Sequence, residues 1–213
     1  MYSIEDKDFV FFKKSINPEK ESILKFKKFI NLLDLYQKKM NLIGSSTRIN
    51  IWRRHILDSA QIEKYLHKEN KNNPILDVGT GAGFPGIVLA ILGRSDILLC
   101  EKSKKKINFL NVIIKECDLK VKVLNSRVED IKAHGLKTII CRAFAPLKIL
   151  IFKVKHLICK DTILILHKGK SYMKEITEAE HFFSFNYKCY DSLTNTNSKI
   201  VAIENIKEKY GKN

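Results

Sequence analysis

The chain has 213 residues, of which 45% are apolar, and a formal net charge of +16 from 39 basic and 23 acidic residues. This length supports one well-filled domain with a modest extension, and no apolar run is long enough to cross a membrane, which excludes a membrane-embedded protein. The N-terminus is charged where a signal peptide would be apolar, and the five cysteines are odd in number and widely spaced, so we expect a cytoplasmic protein with reduced core thiols.

The positive charge has two interpretations. It favours a polyanionic partner, but it also follows from the frequent use of lysine throughout the chain. Only six of the 39 basic residues are arginine, which suggests that arginine is kept where its planar fork is needed. No C-x-x-C, H-E-x-x-H or clustered His/Cys set occurs in the sequence, so no metal is predicted.

Residues 1–72 are predicted to form a helical extension. Asn17-Pro18-Glu19 is typical of a helix start, with asparagine as cap and proline in the first turn. A second helix is expected over residues 49–66, with one shared face formed by Ile49, Trp52, Ile56, Ser59 and Ile62. The extension is interpreted as a helical cap that buries one edge of the main domain, with a substrate-engaging arm as the alternative.

His55 and Asp58 share a face of that second helix because they are three residues apart. Such a pair can form a proton relay. Since no serine or cysteine nucleophile is near in sequence, we instead predict a helix-capping or interdomain hydrogen bond.

The segment from Pro74 to Gly86 predicts a buried strand, a glycine turn and a helix. Residues 81–86 spell G-x-G-x-x-G, and Glu101 lies twenty residues after Gly81, at the end of the next strand, where a carboxylate can bind both hydroxyls of a ribose. These features fit NAD and S-adenosylmethionine equally. Asp77, two residues before the first glycine, favours S-adenosylmethionine because its carboxylate can face a cationic, amino-acid-bearing ligand, and residues 77–83 resemble motif I of class I methyltransferases.

Residues 73–213 alternate between strands and helices. Strands are predicted over 75–79, 97–101, 121–125, 138–142 and 162–167, and helices over 85–93, 104–117, 146–158 and 171–183. The alternation predicts an α/β, mostly parallel, doubly wound Rossmann-like sheet. Two last strands, 185–190 and 199–206, are joined by a short turn-rich link that suits an antiparallel hairpin, which is typical of methyltransferases rather than dinucleotide-binding domains.

The residues at the carboxyl ends of the strands are candidate ligand contacts. Glu101 is predicted to bind ribose, and Val128 and Glu129 to flank an adenine, while Arg142 bonds the methionine carboxylate or the substrate. The Asp-Pro-Pro-Tyr motif of adenine amine methylation and the Pro-Cys or Thr-Cys of pyrimidine C5 methylation are absent. Guanine N7 has an exposed lone pair and loses no proton on attack, so its methylation needs no catalytic base.

The whole set of motifs resembles the RsmG (GidB) family, bacterial guanine-N7 methyltransferases of small-subunit rRNA, over nearly the full length. The motifs that carry the resemblance are Asn41-Leu42, Arg54-His55-Ile-Leu-Asp58-Ser59, the glycine segment 77–86, Glu101-Lys-Ser-Lys-Lys-Lys106, Ser126-Arg127-Val-Glu129, Arg142-Ala-Phe-Ala145 and Lys168-Gly169. Two departures are Ile43 in place of a threonine and Val128 in place of the more usual alanine.

The resemblance implies a class I fold with an N-terminal helical extension, S-adenosyl-L-methionine as donor without a metal, and one guanine of 16S rRNA as target. Its donor contacts carry over to Gly79, Phe84, Val128, Glu129 and Arg142, beside Gly81 and Glu101 from the glycine turn and strand end. Substrate contact is predicted for Arg127, Arg142 and Lys168. The partner is 16S rRNA or the small ribosomal subunit, with no DNA, no membrane and a monomeric state expected.

Three other functions are compatible with parts of the sequence. A small-molecule methyltransferase would share the donor site but not bind RNA. An NAD-dependent oxidoreductase is permitted by the glycine motif and Glu101, although Asp77 and the final hairpin argue against it. A non-enzymatic RNA-binding protein would not respond to S-adenosylmethionine, and the intact glycine turn argues against this possibility.

Overall fold

The centre of the protein is a twisted sheet, seen in a computed structural model that describes residues 6–132 and 136–209. Its strands are β1 (Ile75–Val78), β2 (Ile97–Glu101), β3 (Lys122–Asn125), β4 (Thr138–Arg142), β5 (Ile163–Lys168), β6 (Phe183–Asp191) and β7 (Lys199–Glu208). They form one 7-stranded sheet in the order β3-β2-β1-β4-β5-β7-β6. Strands β1 to β5 are parallel, while β7 runs antiparallel to β5 and β6. The predicted parallel sheet with a final hairpin is confirmed.

Helices cover both faces of this sheet, because residues of the central strands alternate between two apolar clusters. In β1, Ile75 belongs to one cluster and Leu76 and Val78 to the other. The Ile75 face is covered by α5 (Gly86–Ile91), α6 (Lys104–Glu116) and the N-terminal extension. The opposite face is covered by α7 (Leu147–Val154) and α8 (Tyr172–Glu180).

The extension consists of α1 (Lys7–Ile16), α2 (Lys20–Gln37), α3 (Ser45–Arg48), a π-helical segment (Trp52–Leu57), α4 (Asp58–Ala60) and a 3₁₀ turn (Glu63–Tyr65). Helix α2 packs against α5 and α6, where the Ser22 hydroxyl donates to the Ile91 carbonyl at 2.9 Å. The extension therefore covers a face of the sheet domain rather than one edge.

The predicted helix start at Asn17 is wrong. Asn17 ends α1 in the left-handed conformation, with φ 52°, and its N–H donates to the Lys13 carbonyl at 2.9 Å. Asparagine tolerates this conformation, and Pro18 cannot continue a helix, so the two residues form a helix end. Glu19 is the N-cap of α2, and Pro18 lies outside its first turn.

The predicted single helix over residues 49–66 is also wrong in part. Ile49 lies in the turn after α3, before the π-helical segment, and is 78% exposed, while the other four residues of the predicted face are buried. The Trp52 ring packs against those of Phe9 and Phe12, with centroids 4.6 and 5.4 Å away. Packing of the aromatic cluster, rather than helical periodicity, positions this part of the chain.

Candidate active site

The turn between β1 and α5 is built from glycines in the left-handed conformation. Gly79, Gly81 and Gly83 have φ angles of 67°, 61° and 96°, a region that residues with a Cβ rarely adopt. At Gly86, a Cβ would collide with the side chains of Leu99 and Asp77. The glycines thus allow a tight turn and close packing of α5 on the sheet.

Glu101, at the end of β2, is held by three backbone amides. Its Oε2 accepts from the Gly81 N–H at 3.1 Å, and its Oε1 accepts from those of Lys102 and Ser103 at 2.9 and 2.8 Å. A carboxylate has about four acceptor sites, so one remains for a ligand hydroxyl. The carboxylate is therefore held in place for a hydrogen bond to one ribose hydroxyl, rather than to both as the sequence suggested.

Asp77 does not face a ligand cavity, contrary to the prediction. Strand alternation directs its side chain beneath the start of α5, where it is 0% exposed and accepts from the Gly86 N–H at 2.8 Å. Burial raises the pKa of Asp77 to about 6. Its role is therefore to fix the glycine turn against α5.

Replacement of Asp77 by asparagine is expected to remove a pH-dependent loss of stability. The pKa of Asp77 rises from 3.8 to about 6 in the folded protein, so stability that is fully present below pH 3.8 is lost as the pH rises toward 6. This difference corresponds to about 3 kcal/mol. Asparagine cannot ionise and keeps an oxygen for the Gly86 N–H.

Urea unfolding of both proteins between about pH 4 and pH 8 tests this expectation. The free energy of unfolding of D77N relative to the parent protein should increase from about pH 4 to pH 6 and then stay level. A difference that does not change with pH would contradict it.

A first cavity of about 300 Å³ lies beside the glycine turn, between the ends of β2, β3 and β4. We refer to it as the β2–β3 cavity; its walls include Gly79, Glu101, Arg127, Val128, Glu129 and Phe144. Val128 is buried, whereas Arg127 and Glu129 are exposed at the rim. Lys153 pairs with Glu129 and lowers the pKa of that carboxyl. The volume lies at the lower end of the range of small-molecule sites.

A second cavity of about 420 Å³ lies at the ends of β4 and β5 and is called the β4–β5 cavity. Its walls include Asp58, Arg142, Phe144, Lys168, Glu175 and Ser192. The two cavities share Ala143 and Phe144. Ligands in the two cavities would therefore meet at this loop.

The shared loop is held in an unusual conformation. Ala143 has a φ of 53°, and the Phe144 ring packs so closely on Gly79 that a Cβ there would collide with it. Lys168 donates to the Ala145 carbonyl at 3.1 Å and to Glu175 at 2.7 Å, while Glu175 also accepts from the Leu147 N–H at 2.9 Å. The Lys168–Glu175 pair thus fastens the loop on both sides of Pro146.

Arg142 joins the extension to the sheet. Its guanidinium donates to Asp58 at 3.2 Å, to the Arg54 carbonyl at 3.1 Å and to His55 Nδ1 at 2.8 Å. It also lies over the Phe84 ring, 4.8 Å from the centroid. The hydrogen bond expected between the extension and the main domain is confirmed, and Arg142 is its donor.

The histidines of this network are neutral. Burial lowers the pKa of His55 to about 3, and neighbouring Arg142 adds to the effect. Because Nδ1 of His55 accepts from Arg142, Nε2 carries the proton and donates to the Thr47 hydroxyl at 2.8 Å. His167, whose pKa is lowered by burial, donates through Nε2 to the Asp58 carbonyl at 2.7 Å. Both rings thus have structural partners, in agreement with the noncatalytic interpretation of His55 and Asp58.

The predicted site residues divide between the two cavities. Gly79, Glu101, Arg127, Val128 and Glu129 line the β2–β3 cavity, whereas Arg142 and Lys168 line the β4–β5 cavity. Gly81 contacts Glu101, and the Phe84 ring is buried between His55 and Phe29, so neither lines these two cavities. Sequence reasoning missed Glu175, because a glutamate one turn into a helix gives no local signal.

The described residues form neither a metal-binding cluster nor a membrane-spanning helix. Within residues 6–132 and 136–209, no group of three His, Cys, Asp or Glu side chains could hold a metal ion. In the same ranges, no helix has the length and apolar character needed to span a membrane. All five cysteines are free; Cys159 and Cys189 are exposed rather than in the core, because they lie in a turn and on the edge strand.

The fold and the glycine turn define a class I S-adenosylmethionine-dependent methyltransferase. The ribosomal protein L11 methylase from Lactobacillus delbrueckii subsp. bulgaricus matches with a TM-score of 0.56 at 17% identity, covering 79% of this chain and 81% of that chain. The glycopeptide N-methyltransferase MtfA, solved in complex with S-adenosyl-L-methionine, matches with a TM-score of 0.57 at 9% identity, covering 70% and 93%. At these identities the comparison establishes the fold alone.

The family follows from the sequence. Residues 22–203 match the family model GidB, described as rRNA small subunit methyltransferase G. Ribosomal RNA small subunit methyltransferase G of Orientia tsutsugamushi (strain Ikeda) is 38% identical over 188 residues, which cover 88% of this chain and 93% of that protein. The chain belongs to the GidB family, as the motifs predicted.

Proposed function

We propose that this protein transfers a methyl group from S-adenosyl-L-methionine to N7 of one guanine in 16S rRNA. Residues 1–72 act as the helical extension and residues 73–213 as the methyltransferase domain. The partner is 16S rRNA or the small ribosomal subunit. The protein acts in the cytoplasm as a monomer, without a metal ion, and it binds neither DNA nor a membrane. This proposal rests chiefly on the presence of two adjoining cavities, which meet at Phe144.

The β2–β3 cavity fits the donor. Gly79 leaves room for the methionine part, the Gly81 N–H holds Glu101, Glu101 keeps one acceptor site for a ribose hydroxyl, and Val128 and Glu129 flank the adenine. Phe84 lies outside this cavity, and its ring packs against the Arg142 guanidinium. When bound, S-adenosylmethionine supplies an electrophilic methyl group on a sulfonium.

Attack by guanine N7 agrees with the state of the carboxylates around the β4–β5 cavity. Asp58 is held by Arg142 at 3.2 Å and by the Thr194 hydroxyl at 2.7 Å, and Glu175 is held by Lys168. These groups are arranged as hydrogen-bond acceptors for cations rather than as free bases. A lone pair that loses no proton on methylation needs only alignment, which such a fixed site supplies.

Transfer of labelled methyl from S-adenosylmethionine to 16S rRNA, free and in small subunits, tests the proposal, followed by chemical cleavage selective for 7-methylguanine. Incorporation at a single guanine is the expected result. No incorporation into either substrate, despite binding of the donor, would instead favour a small-molecule methyltransferase.

Replacement of Arg127 by alanine should reduce methylation of RNA while leaving donor binding intact. Arg127 is exposed at the rim of the β2–β3 cavity, close enough to Glu129 to influence its pKa, and it makes no ion pair within the described residues. As a phosphate contact, it should contribute about tenfold to kcat/KM, and its removal should lower the salt slope of RNA binding by about one.

Lys160→Ala is the matched control for Arg127→Ala. Lys160 is exposed just before β5, at the amino ends of the parallel strands, whereas both cavities lie at their carboxyl ends. Lys160→Ala should change neither kcat/KM nor the salt slope of RNA binding. A loss of donor affinity in Arg127→Ala would move Arg127 from the RNA surface to the donor site.

A further inference from the structure

The β4–β5 cavity contains a cation and a carboxylate with unused hydrogen-bonding capacity. Lys168 Nζ makes two of the three hydrogen bonds that an ammonium can donate, to the Ala145 carbonyl and to Glu175. Glu175 Oε2 accepts two hydrogen bonds, from Leu147 N–H and Lys168, and its Oε1 accepts none from the described residues. One donor and one free carboxylate oxygen therefore stand side by side.

We propose that Lys168 and Glu175 read the Watson–Crick edge of the target guanine in the β4–β5 cavity, a role that rests on the function proposed above. Guanine presents O6 as an acceptor next to the N1–H and N2–H donors. The spare proton of Lys168 meets O6, and Oε1 of Glu175 accepts from N1–H and the 2-amino group. The order of donor and acceptor in the protein is thus the complement of that in the base.

The same arrangement of donor and acceptor discriminates against adenine. Adenine presents an amino donor where guanine has O6 and an unprotonated N1 where guanine has N1–H. The ammonium of Lys168 would then face a donor, and Glu175 would face a lone pair, so each of these partly buried side chains would leave one hydrogen-bonding site unsatisfied. Side-chain exposures of 10% for Lys168 and 20% for Glu175 make this mismatch costly, because little water can replace the lost bonds.

Phe144 supplies the apolar surface that a purine ring needs. Its ring borders both cavities and is 36% exposed, and it belongs to the loop that Lys168 and Glu175 fasten. Aromatic side chains of this kind stack on unpaired bases. The residues that read the edge of the base thus also fix the residue that contacts its face.

A carboxylate at the N1–H has a further consequence for methyl transfer. When N7 gains a methyl group without losing a proton, the purine becomes positively charged. The negative charge of Glu175 then offsets the repulsion between this cation and the Lys168 ammonium at O6, and this matters more in the transition state than in the ground state. Glu175 is therefore expected to affect kcat as well as KM.

The test compares 16S rRNA with guanosine at the target position, free and in small subunits, with the same RNA carrying inosine there, which lacks only the 2-amino group. The parent protein should methylate guanosine about tenfold more efficiently than inosine, since one charge-assisted hydrogen bond is lost. Glu175→Gln keeps an oxygen for the Leu147 N–H but loses the charge, and its preference for guanosine should fall to about twofold or less. Glu178→Gln, in the same helix and 50% exposed, should keep the parent preference.

Three results would overturn the inference. If Glu175→Gln lowers the methylation of both RNAs by the same factor, Glu175 does not accept from the 2-amino group of the base. If Glu175→Gln changes the methylation of neither the guanosine RNA nor the inosine RNA, Glu175 does not contact the base. Failure of the parent protein to methylate guanosine in 16S rRNA, either free or in small subunits, would instead overturn the proposed function itself and this inference with it.

Discussion

Gly81→Asp is expected to lower the affinity for S-adenosylmethionine by at least about a hundredfold, roughly 3 kcal/mol. Gly81 has a φ of 61°, so any side chain at this position strains the turn. Its N–H donates to Glu101 at 3.1 Å, so a new carboxylate would also lie close to the carboxylate that is proposed to bind the ribose. Strain and like-charge repulsion both act directly on the donor site.

Titration calorimetry with S-adenosylmethionine measures this loss, and Gly81→Ala separates strain from charge. Gly93→Asp is the matched control: Gly93 has a φ of 114°, and a Cβ there meets nothing within 4 Å. It should lose stability through the same kind of strain but bind the donor with nearly the parent affinity.

Undiminished donor affinity in Gly81→Asp would contradict placement of the donor beside the glycine turn. An equal loss in Gly93→Asp would show that the effect comes from general destabilisation of the fold. Thermal unfolding of all three variants distinguishes the two cases, since only a folded protein gives an interpretable affinity.

The sheet and the donor side of the site could be predicted because they depend on local signals. Apolar runs such as that of β1 alternate with helical segments, and left-handed glycines such as Gly79 and Gly81 are marked by residue type. Since parallel strands end at the same edge, Glu101 and Val128 could be placed near that turn without a structure.

The extension and the second cavity depend on contacts between distant segments, which local patterns do not encode. Ile49 is exposed because it lies in the turn after α3, outside the helix that was predicted to include it. Asp77 has the residue type of a ligand contact, but strand alternation places it beneath α5. Glu175 gains its importance from Lys168 and the Leu147 N–H, which belong to other elements.

Arg142→Met should lower the free energy of unfolding by about 3 kcal/mol or more and abolish methyl transfer. Arg142 is the donor that connects Asp58 and His55 of the extension to the end of β4, and its side chain is 15% exposed. Without it, the partly buried Asp58 carboxylate loses its ion pair and keeps only neutral donors such as the Thr194 hydroxyl. The loss of a partner in a buried pair costs far more than the loss of an exposed one.

Arg142→Lys is the second variant, which protects the test against simple failure to fold. Lysine keeps the charge near Asp58 but lacks the planar fork that reaches His55 at the same time, so we expect a stable protein with strongly reduced transfer to RNA. Arg53→Met is the matched control, because Arg53 is 41% exposed and lies 3.7 Å from Asp8. It should cost less than about 1 kcal/mol.

Chemical denaturation and labelled-methyl transfer measure the two effects in each variant. A stability loss in Arg142→Met no greater than that in Arg53→Met would show that the Arg142 network does not hold the extension on the sheet. Full activity in Arg142→Lys would show that a charge near Asp58 is sufficient and that bonding of His55 has no part in the reaction. Loss of transfer with the stability of Arg142→Lys nearly unchanged is the result expected if the extension, through Arg142, fixes one wall of the cavity in which the base is methylated.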